Sequence, residues 1–232
     1  MEKKAKFFRN VVANVVIAAV LVSMLAYTLI DNSVPASAEK PIYKGESEKN
    51  VSLMVNVYWG TEFLDPMLEI FERHGVKTTF FVGGMWAAEN DAMLKKIYDA
   101  GHEIGNHGYF HKDHKKLSAE RNREEIEVTH KLVKSIIGYE MTLFAPPSGS
   151  FSEETISGAE ALGYTTIMWT YDTIDWRDHD SELIYSRAVK NLAGGNLILM
   201  HPTADTVKAL EKIITTVKEA GLDITPVSQV LQ

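Results

Sequence analysis

Cysteine is absent from this chain of 232 residues. Its absence excludes a disulfide framework and any thiolate metal site, so a bound metal would need histidine, carboxylate, amide or water ligands. A surplus of basic residues is also lacking, and the formal net charge of −7 argues against a nucleic-acid-binding protein. Neither a G-x-G-x-x-G loop after the first predicted strand nor a Walker sequence is present.

The first 38 residues differ in composition from the rest. A basic start (KKAK) precedes residues 11–30, which are almost wholly apolar. About twenty apolar residues can cross a bilayer as a helix, and the preceding lysines predict a cytoplasmic N-terminus. Ala36-Ser37-Ala38 has the small-x-small pattern of a signal-peptidase site. We therefore expect residues 1–38 to be a membrane anchor or a cleaved signal peptide, and the remainder to be exported.

Strand-like and helix-like segments alternate after a polar stretch at 39–50, which predicts a linker followed by one domain at 51–232. Strands are predicted at 51–57, 76–82, before His107, and at 141–145, 164–170, 196–200 and 223–227. Helices are predicted at 62–74, 90–100, 118–137, 152–162, from Ser181 onward and at 203–220. The alternation predicts an α/β fold: a distorted (β/α) barrel of about seven parallel strands, complete or incomplete, with a doubly wound open sheet as the alternative.

Residues able to do chemistry follow the predicted strands. Asn56, His107 and His201 lie at strand ends, and Asp172 and Asp175 follow the strand at 164–170. In parallel α/β folds the carboxyl ends of the strands meet at the active site. The sequence therefore predicts that these side chains converge on one site.

The pair His107 and His111 is a candidate metal site. Histidines at i and i+4 can point both rings at one ion, and the nearby glycines let the backbone bend. The alternative is a pair of surface histidines in a polar loop beside Lys112.

Two further candidates carry alternatives of their own. Asp172 and Asp175 could orient a histidine or an arginine while Trp176 walls a sugar ring, or one of the carboxylates could cap a helix. His201 is suited to general-acid work because histidine can exchange a proton near neutral pH, or it could be a structural histidine bonded to the backbone.

Together these segments resemble the polysaccharide deacetylases (the NodB-homology domain, or carbohydrate esterase family four) over about residues 50–231. The stretch GHEIGNH, which ends at His107, and GVKTTFFVGG at 75–84 are typical of the family. Within it, the chain resembles in particular the sporulation-associated deacetylase-like proteins of endospore-forming bacteria. The resemblance implies that His107 and His111 bind a divalent metal, zinc, and that Asp175 tunes a catalytic His201.

The resemblance also implies a set of substrate contacts. Leu199 would line the pocket for the acetyl methyl group, and His201 would protonate the leaving amine. Trp176, Pro147 and Ser148 would contact the substrate, with the backbone N–H of Ser148 as an oxyanion donor.

Two of the family's motifs depart from the pattern. The first motif reads Thr-Phe-Asp-Asp-Gly, in which one Asp is the general base and the next is the third metal ligand. Here Asn56 takes the base position and Val57 follows it, while Ala145 replaces the Arg that opens the third motif. The third ligand stays open among the amide oxygen of Asn56, the carboxylate of Glu62 and water. We expect a weakly held metal, because an amide oxygen is a weak, neutral ligand for zinc.

The function implied by the resemblance is a metal-dependent hydrolase that removes N-acetyl groups from peptidoglycan or a related N-acetylglucosamine polymer, in sporulation. Loss of a general base costs roughly 10²–10⁴ in rate, so the chemistry is expected to be impaired. The alternatives are a glycan-binding pseudoenzyme of the cell wall and a structural sporulation factor. The expected partners are cell-wall polysaccharide and, through the N-terminal helix, the membrane. The expected location is outside the cytoplasm, membrane-anchored or secreted.

Overall fold

The computed structural model describes residues 14–20 and 40–232. The chain divides into two units, Met1–Ser37 and Ala38–Gln232, and the second holds the fold and the candidate site. In the first unit, residues 14–20 are helical with exposed side chains. Among the described residues, no helix has both the length and the apolar character needed to span a bilayer. The rest of the anchor or signal segment expected at 1–38 lies outside the described residues.

A parallel sheet forms the centre of the second unit. Its strands are β1 (Asn50–Val57), β2 (Thr79–Val82), β3 (Glu103–Asn106), β4 (Leu143–Phe144), β5 (Thr165–Thr166), β6 (Tyr171–Asp172), β7 (Leu197–Met200) and β8 (Asp223–Ile224). They pair in parallel in the order β5-β4-β3-β2-β1-β7-β6, with β8 added beside β1. This arrangement confirms the predicted α/β barrel, and it leaves β5 and β6 as the edges of an incomplete one.

Helices alternate with the strands of the second unit, and two of the helices begin at predicted serine caps. The helices are α1 (Leu64–Arg73), α2 (Gly84–Glu89), α3 (Asp91–Asp99), α4 (Ala119–Ile137), α5 (Glu153–Glu160), α6 (Ser181–Ala188), α7 (Ala204–Glu219) and α8 (Val227–Val230). The hydroxyl of Ser118 accepts from Arg121 N at the start of α4, and that of Ser152 accepts from Thr155 N at the start of α5. Gly138 ends α4 in the left-handed conformation.

Side chains of β1 alternate between two apolar layers. Val51, Leu53, Val55 and Val57 belong to the large core between the sheet and its helices, whereas Met54 belongs to a smaller core inside the barrel. The same alternation aims Asn56 inward, at the carboxyl end of the strand. A period of two residues therefore decides which side chains of this strand can reach the site.

Two segments differ from their predicted form. Of the strand predicted at 164–170, only Thr165–Thr166 form a strand, β5; β6 begins at Tyr171, just after the predicted bounds, and lies at the opposite edge of the sheet. Part of the stretch expected as a linker at 39–50 makes strand-like bridges. Ile42 forms a parallel bridge with Ile167, and Lys44 forms an antiparallel bridge with Asn196. Ile42 N–H donates to Thr166 O and Met168 N–H donates to Ile42 O, so this N-terminal stretch satisfies part of the backbone that follows β5.

Candidate active site

A cleft of about 420 Å³ opens at the carboxyl ends of the strands. It is lined by Asn56, Tyr58, His107, His111, Ser148, Trp169, Asp172, Trp176, Leu199 and His201. The predicted convergence of strand-end residues on one site is therefore what the fold produces.

His107 lies directly after β3 and is 1% exposed. Its Nδ1 lies 2.7 Å from the carbonyl oxygen of Ala145, which can only accept, so Nδ1 carries the proton. The Nε2 lone pair is then buried, and it has no hydrogen-bond partner within the described part of the chain. Burial, with a smaller contribution from His111, lowers the pKa of His107 well below its usual value. The ring is thus neutral, and its free nitrogen is available to a ligand.

His111 is held by a loop in a demanding conformation. Gly108 and His111 both have positive φ angles, of 71° and 52°. Gly108 must lack a side chain here, because a Cβ would lie 2.8 Å from His114 Nε2. The buried carboxylate of Glu125 fixes the loop by accepting from the backbone N–H groups of the two residues before His111. Burial, followed by His201, lowers the pKa of His111 to about 4.

The two candidate metal ligands lie near each other. The ring centroids of His107 and His111 are 5.1 Å apart, with an angle of 60° between the ring planes. Zinc–nitrogen bonds are about 2.0–2.1 Å, so rings at this separation are close enough to share an ion. The separation of the two rings is therefore compatible with the two-histidine part of the predicted metal site.

The third ligand implied by the resemblance has no counterpart. Val57 is fully buried in the large apolar core, and the carboxylate of Glu62 accepts from Thr61 N on the exposed surface. Asn56 is inside the cleft, and its buried Oδ1 finds no hydrogen-bond partner among residues 40–232. Across the described residues, no group of three or more histidines and carboxylates could hold a metal ion. The donor set fits a two-histidine site with one neutral oxygen, and it does not fit the three-ligand site of the family.

His201 has a complete set of supporting contacts. Its Nδ1 lies 2.8 Å from Asp175 Oδ1, and its backbone N–H donates to Asp175 Oδ2 at 2.6 Å. The hydroxyl of Thr206, in α7, also donates to Oδ2 at 2.6 Å. Asp175 is completely buried, so this carboxylate fixes the tautomer and the direction of the imidazole. Such a pair can donate or accept a proton at Nε2 of His201, whereas the amide of Asn56 cannot act as a base toward water.

Two tryptophan rings form an aromatic wall of the cleft. Trp176 is 52% exposed, and Trp169 is partly buried. Asp172 also lines the cleft and accepts from Ile174 N at 2.7 Å; burial raises the pKa of its carboxyl group. Exposed aromatic faces beside a polar group suit a sugar ring, which has an apolar face and a polar edge.

Two of the three residues expected to contact the substrate at 147–148 and 199 line the cleft. Ser148 lines it with a φ of 55°, in a short 3₁₀ turn at Pro147–Gly149, and Leu199 lines it as well. Pro147 is buried, and a Cβ on Gly108 would lie 3.5 Å from its Cγ, so it packs beside the histidine loop. The contacts of these residues with a substrate stay predictions.

Tyr58 is, with Trp169, one of two cleft-lining residues that were not among the predicted site residues. Its ring stacks on His111 with 3.5 Å between centroids and 18° between planes, and it also faces His107 (5.9 Å) and His201 (6.4 Å). Burial, followed by Asp175, raises the pKa of its hydroxyl group. Strand alternation could have found it, because residue 58 is the next inward position after residue 56. The next residue, Trp59, stacks on His201 with 5.4 Å between centroids.

Comparisons with known proteins agree with this geometry. The polysaccharide deacetylase family model matches residues 43–167. The uncharacterized protein YlxY of Bacillus subtilis (strain 168) is 40% identical over 210 residues, covering 89% of this chain and 66% of YlxY. The peptidoglycan-N-acetylmuramic acid deacetylase PdaA of the same strain is 29% identical over 179 residues, covering 75% of this chain and 68% of PdaA.

Two solved structures are also similar to this chain. BA3943 of Bacillus anthracis, described as a CE4 family pseudoenzyme, aligns with a TM-score of 0.81 and 40% identity, covering 84% of this chain and 70% of that one. A mutant of BA3943, described as having restored enzymatic activity, aligns with the same TM-score and 38% identity. The chain spans 66% of the length of YlxY. On the family match and the shared fold, the chain belongs to the polysaccharide deacetylase family.

Proposed function

We propose that this domain binds an N-acetylglucosamine polymer of the cell wall in the cleft and lacks efficient metal-dependent deacetylation. The composition of the cleft is the observation that carries the proposal. The aromatic wall and the His201–Asp175 pair are present, whereas Asn56 and Val57 stand where the family has its two carboxylates, and the phenol ring of Tyr58 stacks on His111.

The similarity to named proteins supports both halves of this proposal. PdaA is named as a deacetylase of peptidoglycan, which supports a cell-wall glycan as the ligand. BA3943 is described as a pseudoenzyme, which supports weakened chemistry at a retained cleft. A glycan ligand of this kind requires export, so we place the domain outside the cytoplasm, secreted or anchored through residues 1–38. A role in sporulation is part of the same proposal.

A slow deacetylase is the second candidate, and two unpartnered atoms favour it. His107 Nε2 and Asn56 Oδ1 are both buried without a hydrogen-bond partner in residues 40–232. Buried polar atoms are almost always satisfied, so an unpartnered pair can indicate a missing ligand. In this candidate His107 and His111 would hold a zinc ion weakly, and the ion would supply Lewis-acid chemistry when bound.

Binding and turnover measured on the full-length chain separate the candidates. The chain is titrated with a chitooligosaccharide by calorimetry, and acetate release is measured with added Zn²⁺ or Co²⁺. Binding without release is the result we expect. Release that is lost in His107→Ala would favour the slow deacetylase. Absence of both binding and release would overturn both candidates and leave a structural role.

Two substitutions assign the binding to the cleft. Trp176→Ala should weaken the chitooligosaccharide affinity, because it removes an exposed face of the cleft wall. Leu183→Ala is the matched control, since Leu183 is an exposed apolar side chain of α6 outside the residues that line the cleft. Equal affinities for the two variants would refute binding in the cleft.

A double variant tests how far the chemistry is from the family's. Asn56→Asp with Ala145→Arg should raise acetate release above that of the parent chain if only the base was lost. Ala145→Arg alone should destabilise the fold, because Ala145 is fully buried and a guanidinium there would lack its counter-charge. No gain in the folded double variant would show that more than the base is missing.

A further inference from the structure

The ring of Tyr58 lies among the three histidines of the cleft. It covers one face of His111 at 3.5 Å between centroids, and its centroid is 5.9 Å from that of His107 and 6.4 Å from that of His201. The ring therefore lies, as hydrocarbon, on the β1 side of the pair that would hold a metal. We infer that Tyr58, in addition to the missing carboxylate at residue 57, denies this cleft a divalent cation.

The position of Tyr58 on the chain supports this role. Side chains of β1 point into the barrel at residues 54 and 56, and residue 58 is the next in that series. Val57, at the family's ligand position, is buried in the large core, so the positions of this strand end that face the cleft are Asn56 and then residue 58. At that point the chain carries an aromatic ring, which cannot coordinate zinc through its carbon atoms.

The ring is held from two sides, so it cannot easily move away from the histidines. Trp59 makes an edge-on contact with the Tyr58 ring, with 4.2 Å between centroids and 76° between planes. His111 stacks in parallel on the same ring. The base of the side chain is confined as well, because Tyr58 Cβ lies 3.2 Å from where a Cβ on Gly83 would stand. A ligand that enters the space of the Tyr58 ring must displace the ring and break both of its aromatic contacts.

The tyrosine at residue 58 also changes which ligand the cleft suits. A site with one carboxylate and two imidazoles suits a divalent cation, whereas a site walled by a phenol and indole rings suits the apolar face of a sugar. Residue 58 is thus a specificity-determining position. The inference rests on the absent third ligand, as the proposed function does, but its test reads metal binding and not glycan binding.

The test is a Zn²⁺ titration of the full-length chain and of three variants at residue 58. Tyr58→Asp removes the ring and supplies a carboxylate, Tyr58→Ala removes the ring only, and Tyr58→Phe keeps the ring. Partners outside the coordination sphere change metal affinity by roughly 10–100-fold, so we expect Tyr58→Asp to bind Zn²⁺ at least about tenfold more tightly than the parent chain. Tyr58→Ala should give a smaller gain, and Tyr58→Phe should give none.

Two further variants assign the gain to the histidine pair. Adding His107→Ala to Tyr58→Asp should abolish it, because it removes the nitrogen that is buried without a partner in residues 40–232. Trp176→Ala is the matched control, since it removes an aromatic ring from the cleft wall without touching the histidine pair. Its Zn²⁺ affinity should equal that of the parent chain.

Several results would overturn the inference. They are a parent chain that binds Zn²⁺ as tightly as Tyr58→Asp, a folded Tyr58→Asp with no gain, and a Tyr58→Phe with the same gain as Tyr58→Ala. If circular dichroism shows that Tyr58→Asp does not fold, Tyr58→Ala decides alone, and no gain there refutes the role of the ring. Glycan binding without a zinc gain would refute only this inference, and a zinc gain without glycan binding by the parent chain would refute only the proposed function.

Discussion

Acidification should destabilise the domain through His102, a buried histidine directly before β3, at the amino end of that strand and outside the residues that line the cleft. His102 is 4% exposed and packs against Phe71 and Phe80, with ring centroids 5.4 and 5.0 Å away. Its Nδ1 accepts the backbone N–H of Thr78 at 3.2 Å, so that nitrogen cannot take a proton without losing the bond. Burial, followed by the charge of Lys77, lowers the pKa of His102 from 6.5 to about 4.

The direction and size of the effect follow from this difference in pKa. The unfolded chain binds a proton at His102 near pH 6.5, whereas the folded chain binds it only near pH 4. Stability is therefore complete above pH 6.5 and is lost as the pH falls from 6.5 toward 4. At pH 5 the unfolded imidazole is almost fully protonated and the folded one is mostly neutral, which corresponds to a loss of about 2 kcal/mol.

The substitution that isolates this effect is His102→Asn. Its amide oxygen can replace Nδ1 as the acceptor for Thr78, and it does not titrate. Urea unfolding of the full-length chain is measured at pH 8 and pH 5 for the parent, for His102→Asn and for the control His179→Asn, which changes an exposed histidine. Between the two pH values the parent and the control should lose about 2 kcal/mol more than His102→Asn. Equal losses in all three proteins would refute the reasoning, because the other buried histidines are common to them and cancel.

Three further substitutions have defined outcomes. Glu125→Gln weakens the charge-assisted hydrogen bonds to the histidine loop, so it should lower the free energy of unfolding by about 1–3 kcal/mol in urea titrations. The control Glu124→Gln changes a more exposed carboxylate of the same helix and should change the free energy of unfolding by less than about 0.5 kcal/mol. Gly105→Ala places a Cβ 2.4 Å from the ring of Phe81 and should cost about 1–3 kcal/mol, measured as a lower thermal midpoint. Trp176→Ala should weaken chitooligosaccharide binding about tenfold in calorimetry, and an unchanged affinity would exclude Trp176 from the binding surface.

Regular parts of the fold could be predicted from the sequence because local rules decide them. Helix α4 begins at the serine cap and ends at Gly138, as its polar start and apolar stripe predict. Strand β1 lies within one residue of its predicted bounds, since it is buried on both faces. The prediction of one strand at 164–170 was wrong in its length. Only Thr165 and Thr166 pair with β4, and the next pairing, of Tyr171 and Asp172 with β7, is at the opposite edge of the sheet, where only the closure of the barrel brings them.

Part of the candidate site could also be predicted from the sequence. Strand ends and histidine spacing were enough to bring together His107, His111 and His201, because parallel strands deliver their ends to one place. The position of Tyr58 was not predicted, since an aromatic residue after a buried strand usually belongs to a core. Its effect depends on the side-chain direction and on the loop geometry of His111, neither of which a motif contains.

The metal content of the purified full-length chain tests the central claim most directly. The claim is that a cleft whose candidate donors are His107, His111 and the amide of Asn56, beside the phenol of Tyr58, does not retain a catalytic ion. Mass spectrometry of the chain, prepared without chelator and dialysed, should find well under one zinc per chain. One zinc per chain in the parent, lost in His107→Ala, would contradict the account.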